Sequence, residues 1–429
     1  MVARAVVLLP LALTITFLPL PYGSIITRIL ILVSVAPGVF YAAQGLRRTE
    51  AWWAGITSLY LLATIVSALF ATDFREAFLD FVRQVYIVFV SLSLMLSLRN
   101  PISRAVLASG MAFVAVVGAL KIFVVYVSYA GFSLGILAGL RDFKVYAQDS
   151  LTVALNPLSF AVLLAFLLAY PALSQRRWIA ATTTVLVLVA MVLSYSRTTL
   201  LVLLLGSLVV GLIAAIRRQP VWLRQTIYPF AAAALVVAGV YLLPHANSFF
   251  DPYELNELTS GRSEIWAAAW DKFVDAPLTG WGASPASLSN VNWVAYLPVY
   301  DPWILESVRS AVEVGSFHNI YLTVLAQKGL IVFIPSMVMA AFLIRQSWRL
   351  HAHKARFSKR DAAYATVAPL IVVIILVRGL SEHAGWWADA DSTEDYLSYV
   401  AASLIVATVA RLESIVSPKR KEKGGQQTQ

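Results

Sequence analysis

The sequence has no cysteine and little charge. Only 13% of its 429 residues are charged and 59% are apolar, whereas a soluble domain has about 25% charged residues. Charge this sparse cannot cover a water-facing surface, so much of the chain must contact lipid. Without cysteine, a disulfide framework and a cysteine-based metal site are excluded. HExxH, Walker and GxSxG motifs and a glycosidase-like carboxylate pair are also absent, which disfavours metal-dependent and nucleotide-using enzymes.

Long apolar runs are the main feature that is present. A helix needs about 20 apolar residues to cross the hydrocarbon core of a bilayer. About twelve segments meet this test, and we therefore predict an all-α polytopic membrane protein. The first segment lacks a small-residue cleavage site, so we interpret it as a span rather than a signal peptide. The predicted spans lie near residues 5–21, 25–43, 51–70, 79–98, 105–128, 151–172, 178–196, 198–216, 226–243, 318–344, 362–380 and 396–412.

The distribution of charge gives the orientation. The chain has a net charge of +10, and with the N-terminus in the cytoplasm most basic residues fall at cytoplasmic helix ends. Only four acidic residues share that side, namely Glu50, Asp361, Glu413 and Glu422. This pattern fits the positive-inside rule, and the opposite orientation does not. The positive charge is therefore topological, and a nucleic-acid partner is disfavoured.

One connection, on the non-cytoplasmic side, is too polar to span the membrane. It contains two amphipathic candidates, 263–273 and 303–312, and long loops in compact proteins are usually functional. The predicted organisation is a set of spans 1 to 9, a large loop with amphipathic helices, spans 10 to 12 and a cytoplasmic tail. These parts comprise residues 1–243, 244–317, 318–412 and 413–429.

Two arginines are candidates for binding an anion. Arg197 lies between two apolar stretches, where an ionisable group is costly and therefore a candidate functional residue. Arg262 falls in the first turn of a predicted amphipathic helix, where the helix N-terminus also attracts anions. A guanidinium forms a two-pronged contact with phosphate. The structural alternatives are a snorkelling Arg197 and an Arg262 paired with Glu264 or Asp271.

His318 is the candidate base. It lies at the start of the tenth predicted span, where a helix N-terminus disfavours imidazolium and leaves a neutral ring that can accept a proton. A capping or packing role is the alternative. Lys121, Lys328 and Arg378 are weaker candidates, because snorkelling or pairing with an outer-face carboxylate is the favoured explanation of each.

Three motifs containing these residues resemble the O-antigen ligase and polymerase superfamily. They are an S-x-S-R element at 194–197, a G-R-x-x-x-W element at 261–266 followed by a P-L-x-G-x-G turn at 277–282, and an H-N-x-Y-L element at 318–322. The motifs cover roughly residues 180–345. Lys328, just before a glycine, departs from the less basic stretch expected there.

The resemblance implies a GT-C-like membrane glycosyltransferase of the inner membrane, with both termini cytoplasmic and a periplasmic active site. It implies inverting transfer without cofactor or metal, from a glycan on undecaprenyl diphosphate to a lipid A-core sugar hydroxyl. Arg197 and Arg262 are assigned to the diphosphate and His318 to the proton of the acceptor hydroxyl. Asn319 or Tyr321 would orient the sugar, and membrane lipids surround the chain.

Two other functions remain open. A polymerase would use a second lipid-linked glycan as the acceptor, and we favour a ligase because of the length of the chain and its single large late loop. A lipid or polysaccharide transporter would have broken helices in two matched halves. The halves do not repeat, and the unusual charges gather at one face.

Overall fold

The computed structural model describes residues 5–15, 23–130, 147, 154–194, 196–216, 262–282, 317–380, 382 and 393–416. The described residues contain helices and no strand. They are α1 (Leu8–Ile15), α2 (Gly23–Val35, continued by a 3-10 helix Ala36–Gln44), α3 (Arg48–Leu69), α4 (Phe74–Ser97), α5 (Pro101–Ala130), α6 (Leu155–Leu173), α7 (Arg177–Leu193), α8 (Arg197–Ile216), α9 (Arg262–Asp275), α10 (Ile320–Ala352), a 3-10 turn Lys354–Arg356, α11 (Lys359–Gly379) and α12 (Thr393–Val416).

Eight helices in the described part are long and apolar enough to cross a membrane. They coincide with eight of the predicted spans. Two shorter apolar helical stretches, Arg177–Leu193 (α7) and Thr198–Gly211 within α8, lie where two more spans were predicted. Only residues 5–15 of the first predicted span are described before α2, and the predicted span 226–243 lies outside the described residues. The chain is therefore a polytopic α-helical membrane protein, as predicted.

The centre of the helical bundle is formed by α6 and α12. Helix α6 is buried along nearly its whole length and contacts α5, α7, α8, α11 and α12. Ala161, Ala165 and Ala169 form a buried stripe four residues apart on α6. Small residues at this spacing let the backbones of neighbouring helices approach closely. Such close packing stabilises helix contacts in lipid, where there is no hydrophobic driving force between helices.

One end of the bundle is held by ion pairs. Glu50 at the start of α3 pairs with Arg99, and Asp361 at the start of α11 lies between Arg104 and Arg411. Glu413 near the end of α12 pairs with Arg349 and accepts a hydrogen bond from the Thr49 hydroxyl at 2.6 Å. These are three of the four acidic residues that the charge pattern assigned to the basic face. Their pairing places the helix ends that carry them together at one end of the bundle.

A further ion pair lies inside the bundle. The Lys328 amine on α10 lies 2.8 Å from the Asp80 carboxylate on α4, and both side chains are buried, with 6% and 4% of their surface exposed. The expectation that Lys328 pairs with a carboxylate is confirmed. Because a lone charge would be far more costly in this setting, the pair fixes α4 against α10.

Replacing one member of this ion pair should lower the free energy of unfolding more than replacing both members. We expect Lys328→Met and Asp80→Leu each to destabilise the protein by about 3–5 kcal/mol, because each removes the ion-pair partner of a buried charge. The double variant should be close to wild type. Thermal unfolding in detergent measures all four proteins. Single variants as stable as wild type, or additive losses in the double variant, would contradict the prediction.

Candidate active site

Helix α10, which begins at Ile320 shortly after His318, is broken at Gly329. Gly329 has φ +69°, so the helical hydrogen bonds stop on either side of it. The amides of Leu330 and Ile331 instead donate to the carbonyls of Pro277 and Leu278, at 2.9 and 3.1 Å. Backbone groups in a membrane need protein partners, since lipid offers none. The break is therefore closed by residues from the predicted loop.

We call residues 277–282 the docked turn. It completes the other half of the break, because the amides of Trp281 and Gly282 donate to the carbonyls of Ala326 and Gln327 at 2.9 and 2.8 Å. The corner between α3 and α4 holds it from the other side. There the Ser67 hydroxyl donates to the Thr279 carbonyl, and the Thr72 hydroxyl to the Trp281 carbonyl, both at 2.8 Å.

Two glycines make this close approach possible. A Cβ at Gly280 would lie 2.3 Å from the carbonyl carbon of Gln327, and a Cβ at Gly329 would lie 2.3 Å from the carbonyl oxygen of Leu278. Both residues also have positive φ, which favours glycine. The first glycine of the P-L-x-G-x-G motif is thus explained by backbone contact with α10.

Alanine at either glycine should undo this contact. We expect Gly280→Ala and Gly329→Ala to lower the unfolding temperature markedly, because steric overlap adds to the backbone strain. Gly45→Ala is the matched control, since Gly45 also has positive φ but a Cβ added there would meet nothing within 4 Å. The Gly45→Ala variant should lose only the energy of backbone strain, about 1–3 kcal/mol. Equal losses in all three variants, measured by thermal unfolding, would show that the contact contributes nothing.

Helix α9 reaches the start of α10 through Trp266. Its indole N–H donates to the carbonyl of Phe317 at 3.1 Å, and Phe317 is fully buried. Arg262 is the first residue of α9, one turn before Trp266. The prediction that Arg262 lies in the first turn of a helix is confirmed, and the side chain of Arg262 lies outside the described part of the structure.

His318 adopts a strained backbone conformation. Its φ is +49°, in the left-handed region, where a non-glycine residue costs about 1–3 kcal/mol. The next residue, Asn319, is the N-cap of α10 and accepts from the amides of Tyr321 and Leu322 at 3.0 and 3.1 Å. The Tyr321 hydroxyl donates to the carbonyl of Leu376 on α11 at 2.7 Å. These contacts hold the strained residue in place.

A carboxylate that the sequence analysis did not single out lies beside His318. One oxygen of Glu382 is 3.4 Å from Nδ1 of His318, and the other is 3.7 Å from the Arg378 guanidinium. Because a carboxylate only accepts hydrogen bonds, this contact favours the tautomer with hydrogen on Nδ1 and a lone pair on Nε2. His318 keeps 37% of its side-chain surface exposed, whereas Arg378 is buried and lies 5.0 Å from the Phe160 ring.

The start of α8 lies at the same end of the bundle. Ser196 precedes Arg197, and its hydroxyl oxygen accepts from the Thr199 amide at 3.4 Å, as an N-cap does. The Thr199 hydroxyl is 3.0 Å from that of Ser159 on α6, which is followed by Phe160, the residue under Arg378. Arg197 is the first residue of α8, and its side chain lies outside the described part.

A chain of contacts therefore connects the three motif elements. It runs from Trp266 to Phe317 beside His318, and then through Glu382 and Arg378 to Phe160. The neighbour of Phe160, Ser159, contacts Thr199 at the start of α8. It lies at the end of the bundle opposite the ion pairs of Glu50, Asp361 and Glu413. Glu382 was missed because only folding brings it beside His318, 64 positions earlier in the chain. Its one local signal is the spacing of four residues from Arg378.

These features define a polytopic membrane protein with a polar site at one end of its helical bundle. In the described residues, no three His, Asp or Glu side chains are grouped as a metal site would require. Residues 182–337 match the family described as O-antigen ligase. The match covers less than half of the chain, and over these residues the resemblance to the O-antigen ligase and polymerase superfamily is confirmed. No curated protein matches the chain closely enough to be assigned as a relative.

Proposed function

We propose that the protein is an O-antigen ligase, which moves a glycan from undecaprenyl diphosphate to a lipid A-core sugar hydroxyl. The observation that carries the proposal is the contact between His318 and Glu382 beside α9, whose first residue is Arg262. A base oriented by a carboxylate, next to a helix that begins with arginine, suits transfer of a sugar from a diphosphate. The family match supports the glycosyltransferase class.

The reaction is a single displacement at the anomeric carbon. The acceptor oxygen forms the new bond as the bond to the diphosphate oxygen breaks, so the configuration inverts. His318 takes the hydroxyl proton on Nε2, with Glu382 orienting the ring. Arg197 and Arg262 bind the diphosphate, whose negative charge grows as it leaves, and groups aimed at developing charge lower the barrier most.

Asn319 and Tyr321 are the residues that we assign to orienting the sugar. Both already have protein partners through Asn319 Oδ1 and the Tyr321 hydroxyl. The amide nitrogen of Asn319 and the ring of Tyr321 are the parts we assign to the sugar. No cofactor is assigned.

The proposed topology has about twelve spans in a GT-C-like arrangement in the inner membrane. The end with the ion pairs of Glu50, Asp361 and Glu413 faces the cytoplasm with both termini, following the positive-inside rule. The site then faces the periplasm. Residues 244–317 form the periplasmic loop between the first nine and the last three spans, and 413–429 form the cytoplasmic tail.

Deletion of the gene distinguishes the ligase from the polymerase. Loss of a ligase leaves free lipid A-core, while lipid-linked long chains accumulate. Loss of a polymerase leaves core that carries one repeat unit. A lipopolysaccharide gel of the deletion strain shows which pattern occurs, and an unchanged gel would contradict both functions.

Transfer by the purified protein should not need a divalent metal. The proposed mechanism neutralises the diphosphate with arginines, so EDTA should leave the rate unchanged. The measurement is attachment of glycan from a lipid-linked donor to lipid A-core, with and without EDTA. A loss of activity with EDTA that Mg²⁺ restores would overturn this mechanism.

A transporter is the alternative from another functional class, and a transporter would use the break in α10. Transporters bind ions at unwound carbonyls of broken helices. Here the carbonyls of Ala326 and Gln327 accept hydrogen bonds from the docked turn. This arrangement favours a structural purpose for the break.

A further inference from the structure

Helix α9 has three distinct faces. Ile265 and Ala269 are buried, with 1% and 0% of their surface exposed. On one flank, Trp270 and Val274 are exposed by 51% and 57%. At roughly 100° per residue, the exposed Asp271 and Asp275 fall about 100° further round, on the other flank. Helix α9 thus has one face buried against the protein, one apolar flank and one acidic flank.

The apolar flank continues into the lipid-facing surface of the spans. The docked turn extends it with Leu278, which is 69% exposed. That turn contacts the corner between α3 and α4 through Ser67 and Thr72. Large apolar side chains are exposed at the same corner, among them Phe70 at 66% and Phe74 at 51%. Because α3 and α4 have the length and hydropathy of membrane spans, their exposed apolar side chains face lipid.

We infer that α9 is an interfacial helix whose apolar flank contacts the bilayer at the end of the bundle that carries the site. Trp270, Val274 and Leu278 lie at the boundary between headgroups and acyl chains, and Asp271 and Asp275 face water. Tryptophan favours that boundary because its ring is apolar and its N–H is polar. An apolar flank beside a charged one is the pattern of helices lying in the membrane plane.

This position has a consequence for the site. Helix α9 is bonded to α10 by Trp266 and, through the docked turn, at the break. Contact with the bilayer would therefore fix the depth of its first residue, Arg262. That depth is near the lipid phosphates, where the diphosphate of any lipid-linked substrate also lies.

The absence of cysteine makes a direct test possible. Single cysteines at Trp270, Val274, Leu278, Asp271 and Asp275 are labelled with a nitroxide, and the protein is placed in vesicles of phosphatidylethanolamine and phosphatidylglycerol. Oxygen concentrates in lipid, and a neutral nickel chelate stays in water. We expect the first three labels to be more accessible to oxygen than to nickel, and the two aspartate positions to show the reverse.

Two control positions calibrate the scale. Leu62, which is 60% exposed on α3, provides the value for lipid, and Arg356 in the turn after α10 provides the value for water. Val274 and Leu278 carry the test alone if the Trp270 variant is unstable, because that ring packs on Phe273 at 5.2 Å. Nickel accessibility at Val274 and Leu278 equal to that at Asp271 would overturn the inference. So would poor access to both reagents, which would show that protein covers this flank. Neither outcome depends on glycosyl transfer.

Discussion

Replacing His318 by alanine is expected to reduce glycan attachment by about 10²–10⁴-fold, the contribution typical of a general base. The acceptor hydroxyl would then lose its proton only to water, while the arginines would still bind the donor. The amount of protein in the membrane should remain normal, because His318 is partly exposed and because alanine meets the same kind of backbone strain there as histidine. The measurement is the transfer rate of purified protein at equal concentration.

His353→Ala is the matched control for this variant. His353 is the C-cap residue that follows α10, at the opposite end of that helix from His318, so its loss should leave transfer unchanged. If His318→Ala transfers glycan at the wild-type rate, His318 is not the base. A parallel loss in the control would point to general damage instead.

Glu382→Gln tests whether the carboxylate acts through the histidine. A neutral amide can present its nitrogen to Nδ1 and thereby favour the wrong tautomer. As a positioning residue, Glu382 should affect kcat strongly and KM little, and Glu382→Asp should recover part of the loss. An equal rise in KM for the donor would instead indicate that Glu382 shapes the binding of substrate.

Arg197→Lys and Arg262→Lys are expected to have the second large effect. Each should lower kcat by about 10²–10³-fold, the loss typical when one group that stabilises developing charge is removed. Lysine keeps the charge but offers a point contact in place of the planar fork that grips phosphate. Turnover by each purified variant, measured with saturating donor, gives the result. Near-full turnover in either variant would exclude that arginine from the diphosphate site.

Arg177→Lys is the control for the arginine variants. Arg177 is also the first residue of its helix, α7, but it lies at the other end of that helix from the S-x-S-R element. It should retain wild-type turnover. A comparable loss there would mean that arginine at a helix start matters for folding and not for the diphosphate.

The membrane spans and the candidate residues were predictable because their signals are local. Eight spans coincide with apolar runs, since the cost of placing polar groups in lipid acts on each segment separately. Arg262 was placed in a first helical turn because Ser260 or Gly261, directly before it, can begin the amphipathic helix. The length of α10 was underestimated, since it continues to Ala352, and its break was not foreseen because it depends on a distant turn.

The sequence alone thus determined the class of protein, eight of its spans and the three motifs. Only the tertiary structure decided which groups meet. Glu382 reaches His318, Asp80 reaches Lys328 and the docked turn enters the break in α10 through packing between helices far apart in the chain. Such contacts leave almost no local pattern in the sequence. Many sequences could bury the same apolar surface, and only the assembled bundle brings particular polar groups within hydrogen-bonding distance.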